Sequence, residues 1–183
     1  MKYADSDNEG EGESSGGRPI GGGASYFLKI DEIRGESQDR QHRDEIELQS
    51  FAWGNSNAEP QGGAGGTTSA KATFQDFQFA SLASKAGPQL MLQCATGQRM
   101  KRAIMTGRRE AGRAPQEYLK VTLEDVLVAS YVSSGSSGDG GAPMDTASLR
   151  FGEIEVEYRE FKANGQIGDT VKVSFDIAKN IGS

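Results

Sequence analysis

The only histidine, His42, stands in the densest run of ionisable side chains in the chain. Asp31, Glu32, Arg34, Glu36, Asp39, Arg40, Arg43, Asp44 and Glu45 surround it, and Ser37 lies five residues before it. A hydroxyl, an imidazole and nearby carboxylates are the parts of nucleophilic hydrolysis. Ser37 lacks the G-x-S-x-G turn that would present it as a nucleophile, so the reading is a surface histidine making hydrogen bonds. The acids are the right type for calcium, but their order does not fit D-x-[DN]-x-[DN]-G, and they read as a solvated loop. The single cysteine, Cys94, excludes a disulfide framework within the chain and a cysteine-based zinc site. No GxxxxGK[ST] phosphate loop is present. The expectation is a protein without catalytic residue, metal or cofactor.

The elements that must hold this run are mostly strands. Tyr26 to Ile30 reads as a first strand and Glu45 to Gly54 as a second, with its apolar phase changing from Ile46 and Leu48 to Phe51 and Trp53. A half-buried strand keeps one phase, so either a bulge near Gln49 and Ser50 or a strand with both faces buried at different points along its length is expected. Between them, Arg34 to Asp44 carries no large apolar side chain, and loops of this length in compact domains are functional or disordered. Asn55 to Ser69 is a glycine-rich loop. Ala70 to Ala80 reads as a third strand. Pro88 and Gly97 bracket a helix whose apolar face is Leu90, Met91, Cys94 and Ala95, with Cys94 as a buried structural thiol. Gln98 to Arg113 reads as a strand pair with a charged outer face. Tyr118 to Ser133 flips phase near Glu124 and Asp125, which predicts a bulge or short turn. Asp145 to Phe161 is one strand broken in phase at Gly152, with Glu153, Glu155 and Glu157 along one face. Val171, Val173, Phe175 and Ile177 alternate as the last strand. The sum is a mainly β domain, an antiparallel β-barrel of two sheets with one short flanking α-helix. Apolar residues on both phases of several strands suggest that part of the outer surface is buried in an oligomer. The half-apolar end of the second strand (Phe51, Trp53) and the glutamate stripe are the candidate subunit-interface residues.

The totals exclude several classes. The chain has 183 residues and a net charge of −6, which argues against general affinity for nucleic acid or anionic membrane. No stretch approaches the ~20 apolar residues of a membrane span, so no stable membrane anchor is expected. The N-terminus lacks the apolar core of a classical signal peptide. Residues 1–24 form an acidic Gly/Ser-rich tail, distinct from a barrel domain over residues 25–183. The tail's composition cannot bury enough apolar surface to offset its ordering entropy, which reads as a flexible segment. The alternative is an acidic arm that docks on a partner.

FLKIDEIRGESQDRQHRDEIELQSFAWGNSN, PQLMLQCATGQ, EYLKVTLEDVLVASYVSSGSSGD, TASLRFGEIEVEY and VKVSFDIAKN, in this order, resemble the Hcp (haemolysin-coregulated protein) family of bacterial type VI secretion systems. The I-x-G-E-S-x-D…H…E-I…WG arrangement is the most specific part. The resemblance implies a structural role: a β-barrel subunit of homohexameric rings that stack into the inner tube of a contractile injector. Its implied partners are further copies of itself, the sheath, spike and baseplate proteins, and small secreted effectors carried in the lumen. It implies a cytoplasmic protein expelled through the type VI apparatus. It also makes Arg34, Glu36, Ser37, Asp39, Arg40, His42, Arg43 and Asp44 a loop that reaches out of the barrel to the neighbouring ring. The tail has no counterpart in the family pattern. A tail-tube protein of a phage or phage-like contractile particle is the alternative reading.

Overall fold

The computed structural model describes residues 23–57, 72–111, 114–137, 141–162 and 167–183. The N-terminal tail up to residue 22 and most of the glycine-rich loop lie outside the described residues. The elements, in order, are β1 (Ala24–Ile30), β2 (Ile46–Ala52), β3 (Asn55–Asn57), β4 (Ala72–Phe74), β5 (Phe77–Leu82), α1 (Ala86–Thr96), β6 (Arg99–Ala111), β7 (Ala114–Ser134), β8 (Met144–Arg150), β9 (Glu153–Phe161), β10 (Ile167–Asp176) and β11 (Ile181–Gly182).

All pairings are antiparallel, and β7 organises them. It runs 21 residues and pairs with β6 along one edge. Its other edge is shared: Leu119 to Glu124 pairs with β9, and Leu127 to Ser134 with β8. The β8 pairing closes the barrel β7-β6-β1-β2-β5-β8, while β9, β10 and β11 leave it as a flap. A short β3–β4 ribbon stands apart.

The interior is filled from strands of alternating pattern: Leu28 and Ile30, Phe77 and Phe79, Val121 and Leu123, Ala147 and Leu149 are all buried. Each large side chain contributes roughly 1.5–3 kcal/mol on burial. The expected irregularity in β2 is present as a register shift between Leu48 and Ser50. In β7 the inward phase changes from Leu123 to Val126 at Asp125, whose φ of 54° is left-handed. β6 changes phase at the same level, from Met100 to Ala103, so the pair turns together without losing register.

Four sequence readings need correction. The segment read as a third strand is two, β4 and β5, and Asp145 to Phe161 is likewise β8 and β9, because Phe151 and Gly152 interrupt the ladder. Gln98 to Arg113 holds one long strand, β6, paired with β7. The helix contacts the barrel through a narrower face: Ala86, Gly87 and Leu90 are buried and Cys94 is half-buried, but Met91 is 50% exposed. The reason lies at its first turn. A Cβ on Gly87 would meet Asp145 Oδ2 at 2.6 Å and the Tyr131 hydroxyl at 2.8 Å. That close approach seats the N-terminal end of the helix on the barrel, where its buried residues lie. Gly97 ends the helix in the left-handed conformation (φ 66°), donating its N–H to Gln93 O at 3.0 Å.

Candidate functional site

The loop between β1 and β2 is built from both ends. Asp31 N–H bonds Arg102 O, and Ile33 N–H returns to Ile30 O. Glu32 and Asp44, at φ 69° and 60°, turn the chain out and back. Gly35 N–H donates to Asp44 O at 2.7 Å, Ser37 N–H to Glu45 O at 3.1 Å, and Asp44 N–H to Ser37 O at 3.0 Å. The two limbs of the loop therefore hold each other. Gly35 has no room for a side chain, since a Cβ would overlap the Glu45 carbonyl group.

The tip folds back over the outer face of β1 and β6. Phe27 points outward from the barrel yet is only 5% exposed, because this loop covers it. His42 lies flat on Phe27, with ring centroids 4.4 Å apart and planes 7° from parallel. Arg108 places its guanidinium 4.9 Å from the same ring and grips Asp39 with both ends of the fork, Nη1–Oδ1 at 2.9 Å and Nη2–Oδ2 at 2.6 Å. Arg108 Nη1 also donates to Gln41 Oε1 at 3.2 Å. Asp39 Oδ1 in addition accepts the N–H groups of Gln41 and His42. The Arg108 hydrogen bonds are the main reason that the Asp39 pKa falls to about 2, with the backbone donors adding to the effect against partial burial.

His42 is buried at 5% exposure, not at the surface as the sequence suggested. Its Nδ1 lies 2.9 Å from Glu45 Oε2 and its Nε2 3.6 Å from Glu117 Oε1. Neither ring nitrogen faces Ser37, whose Oγ accepts the Asp39 N–H at 3.2 Å. The serine and histidine are thus brought into one loop but not into a nucleophile–base pair. The acids are not simply solvated either: Asp39 is held by Arg108, Asp44 by Lys85 at 3.3 Å, and Glu36 accepts the Lys85 N–H at 2.9 Å where α1 begins. Arg108 itself departs from the expected charged outer face of its strand, being 7% exposed. What remains outward is Arg34, Glu36, Arg40 and Arg43.

The candidate interface residues separate into two groups. Phe51 and Trp53 are half-buried against the core of their own chain, and Phe51 meets Phe77 and Tyr26. Glu153, Glu155 and Glu157 are half-buried, with Glu155 bonded to Lys172 at 2.9 Å and Glu157 to Arg159 at 2.7 Å.

Sequence reasoning missed the opposite face of that flap. Leu119, Val121 and Leu123 on β7 pair with Tyr158, Val156 and Ile154 on β9, which pair in turn with Val171, Val173 and Phe175 on β10. The face that lines the barrel core therefore continues onto the flap. Phe74 covers its Phe175 end at 5.1 Å between ring centroids. Beyond it Tyr158, Val171 and Val173 are 47%, 62% and 53% exposed. The alternation of β10 was a signal for this face, but only the barrel's closure upstream of β9 shows that it lies outside the barrel, exposed among the described residues.

The chain is similar to known proteins over most of its length. Residues 27–158 match the family described as "Type VI secretion system effector, Hcp". Protein hcp1 of Pseudomonas aeruginosa is 35% identical over 156 residues, covering 85% of this chain and 96% of its own. The crystal structure of Hcp1 from Salmonella typhimurium superposes with a TM-score of 0.72 at 32% identity, covering 87% of this chain and 99% of that one. A type VI secretion system effector from Yersinia pestis superposes with a TM-score of 0.63 at 27% identity, covering 82% and 98%. The closed barrel with one flanking helix, the β1–β2 loop and these matches agree, and the chain belongs to the Hcp family of type VI secretion system proteins.

Proposed function

We propose that this chain is a structural subunit of a type VI secretion tube, assembling as hexameric rings that stack end to end. The observation that carries the assembly is the uncovered core face of the flap. Tyr158, Val171 and Val173 sit side by side across β9 and β10. Leaving three such side chains in water forfeits roughly 25 cal/mol for each Å² that a partner would cover. β10 adds to the argument, because among the described residues its ladder toward β11 involves only Phe175 and Asp176, extended by the Ser174–Ser183 backbone pair. Its earlier residues form a sheet edge, and exposed apolar edges are covered in stable assemblies. A ring requires each subunit to present two different surfaces to its neighbours. The flap supplies one of them.

In this reading the outward residues of the β1–β2 loop, Arg34, Glu36, Arg40 and Arg43, meet the next ring. Sheath, spike and baseplate surround and cap the tube, the lumen carries small effectors, and the protein leaves the cytoplasm through the apparatus it builds. Native mass spectrometry and negative-stain microscopy of the purified protein test the reading. The expected species is a six-membered ring of this 19.5 kDa chain, with stacked rings at higher concentration. A monomer that persists across micromolar concentrations would overturn it.

A further inference from the structure

The β1–β2 loop is electrically balanced in sequence: between Arg34 and Asp44 stand Arg34, Arg40 and Arg43 against Glu36, Asp39 and Asp44. The fold unbalances it. Asp39 turns inward to Arg108 and Asp44 pairs with Lys85, which leaves Glu36, whose carboxylate accepts the Lys85 backbone N–H, as the one exposed acid against three arginines. Arg34, Arg40 and Arg43 are exposed, and none is paired with a carboxylate among the described residues. A chain of net charge −6 thus presents a cationic loop face.

The chain's own N-terminal segment has the complementary charge and the right point of attachment. Asp5, Asp7, Glu9, Glu11 and Glu13 fall within nine residues that contain no base. The segment joins β1 at Ala24. Ala24 and Ser25 line a cleft of about 520 Å³ together with Gln38, Asp39 and Arg108. The segment's point of attachment therefore lies beside the loop tip. The residues from Glu9 to Ala24 span up to ~50 Å when extended, so the tether does not limit contact with any of the three arginines. Tethering also supplies a millimolar-scale effective concentration, enough to populate a modest electrostatic contact.

The geometry points to the loop's arginine face as a docking site for the acidic N-terminal arm, which competes there with the acidic surface of an incoming ring. The inference rests on the stacking reading above and makes the arm its regulator. Neutralising the arm uncovers the arginines and promotes stacking.

The test uses full-length chains and a fluorescent peptide of residues 1–22 as probe, at low ionic strength. In one variant the arm is neutralised (Asp5→Asn, Asp7→Asn, Glu9→Gln, Glu11→Gln, Glu13→Gln). In a second, the same neutralised arm is combined with Arg34→Ser, Arg40→Ser and Arg43→Ser. The peptide should bind the first variant about tenfold more tightly than the wild type, whose own arm competes. It should not bind the second, and about 0.5 M salt should abolish the binding. Equal binding to the two variants overturns the docking site. Tube formation, followed by sedimentation, should begin at lower protein concentration in the arm-neutralised chain than in the wild type. If the peptide binds as expected but tubes form identically, the contact stands and the competition with stacking falls. If neither chain forms rings, it is the assembly reading that fails.

Discussion

Arg108 and Asp39 lie 69 residues apart in sequence and close a two-pronged ion pair at 2.9 and 2.6 Å over the face of Phe27. The arginine is 8% exposed at its side chain and the aspartate 24%. This pair pins the tip of the β1–β2 loop to the barrel it springs from, so the loop meets any partner as a pre-ordered surface.

Removing one member should cost more than a surface ion pair does. Asp39→Asn leaves a buried guanidinium without its counter-charge, and breaking buried pairs costs about 3–5 kcal/mol. The partial exposure of Asp39 reduces this to about 2 kcal/mol, still above the 0–1 kcal/mol of an exposed pair. Urea unfolding of Asp39→Asn and of Arg108→Ala checks it. A midpoint unchanged in both would show that the pair does not anchor the loop.

The same pair predicts an acid limb. The Asp39 pKa is lowered in the folded chain from 3.8 to about 2, chiefly by Arg108. A depressed folded pKa gives stability that is complete above pH ~4 and is lost as the pH falls through ~2, with a ceiling of about 2 kcal/mol. The stability difference between wild type and Asp39→Asn should therefore be level from pH 7 to pH 5 and shrink below pH 4. A difference that stays constant down to pH 2 would contradict the assignment.

Gly35→Ala should disorder the loop while sparing the barrel. The new Cβ would lie 2.6 Å from Ile46 N and closer still to the Glu45 carbonyl, all backbone atoms of the other limb. Since backbone at both sites is tied by hydrogen bonds, the limbs must part. Hydrogen exchange should speed up at Ser37, Asp44 and Glu45 while the β6 and β7 amides keep their protection. In the tube reading, rings survive and stacking weakens.

Val171→Asp should leave the monomer folded, because Val171 is 62% exposed and contributes little to the core. Placing a carboxylate on the flap's uncovered face should abolish the ring, since burying an unpaired charge costs several kcal/mol at every interface. Circular dichroism and size-exclusion chromatography together decide it. A folded variant that still elutes as the wild-type ring would remove the flap from the subunit contact.

The sequence alone determined the class of this molecule. Alternation in Leu119, Val121 and Leu123, or in Val171, Val173 and Phe175, is a local signal of strand faces, and the phase change at Gln49–Ser50 announced its bulge. The family was legible for the same reason: the IRGES…H…WG pattern is contiguous. What depends on distant pairing was not legible. His42 read as a surface residue because its cover, Phe27, and its neighbour Glu117 arrive from other strands. The loop's acids read as solvated because the arginine that binds Asp39 lies 69 residues away. The flap's bare face read as an ordinary strand face, since only the closure of β8 onto β7 leaves β9 and β10 outside the barrel. Local periodicity records which way a side chain points. Whether water, a partner strand or a buried arginine waits there is set by contacts between segments far apart in the chain.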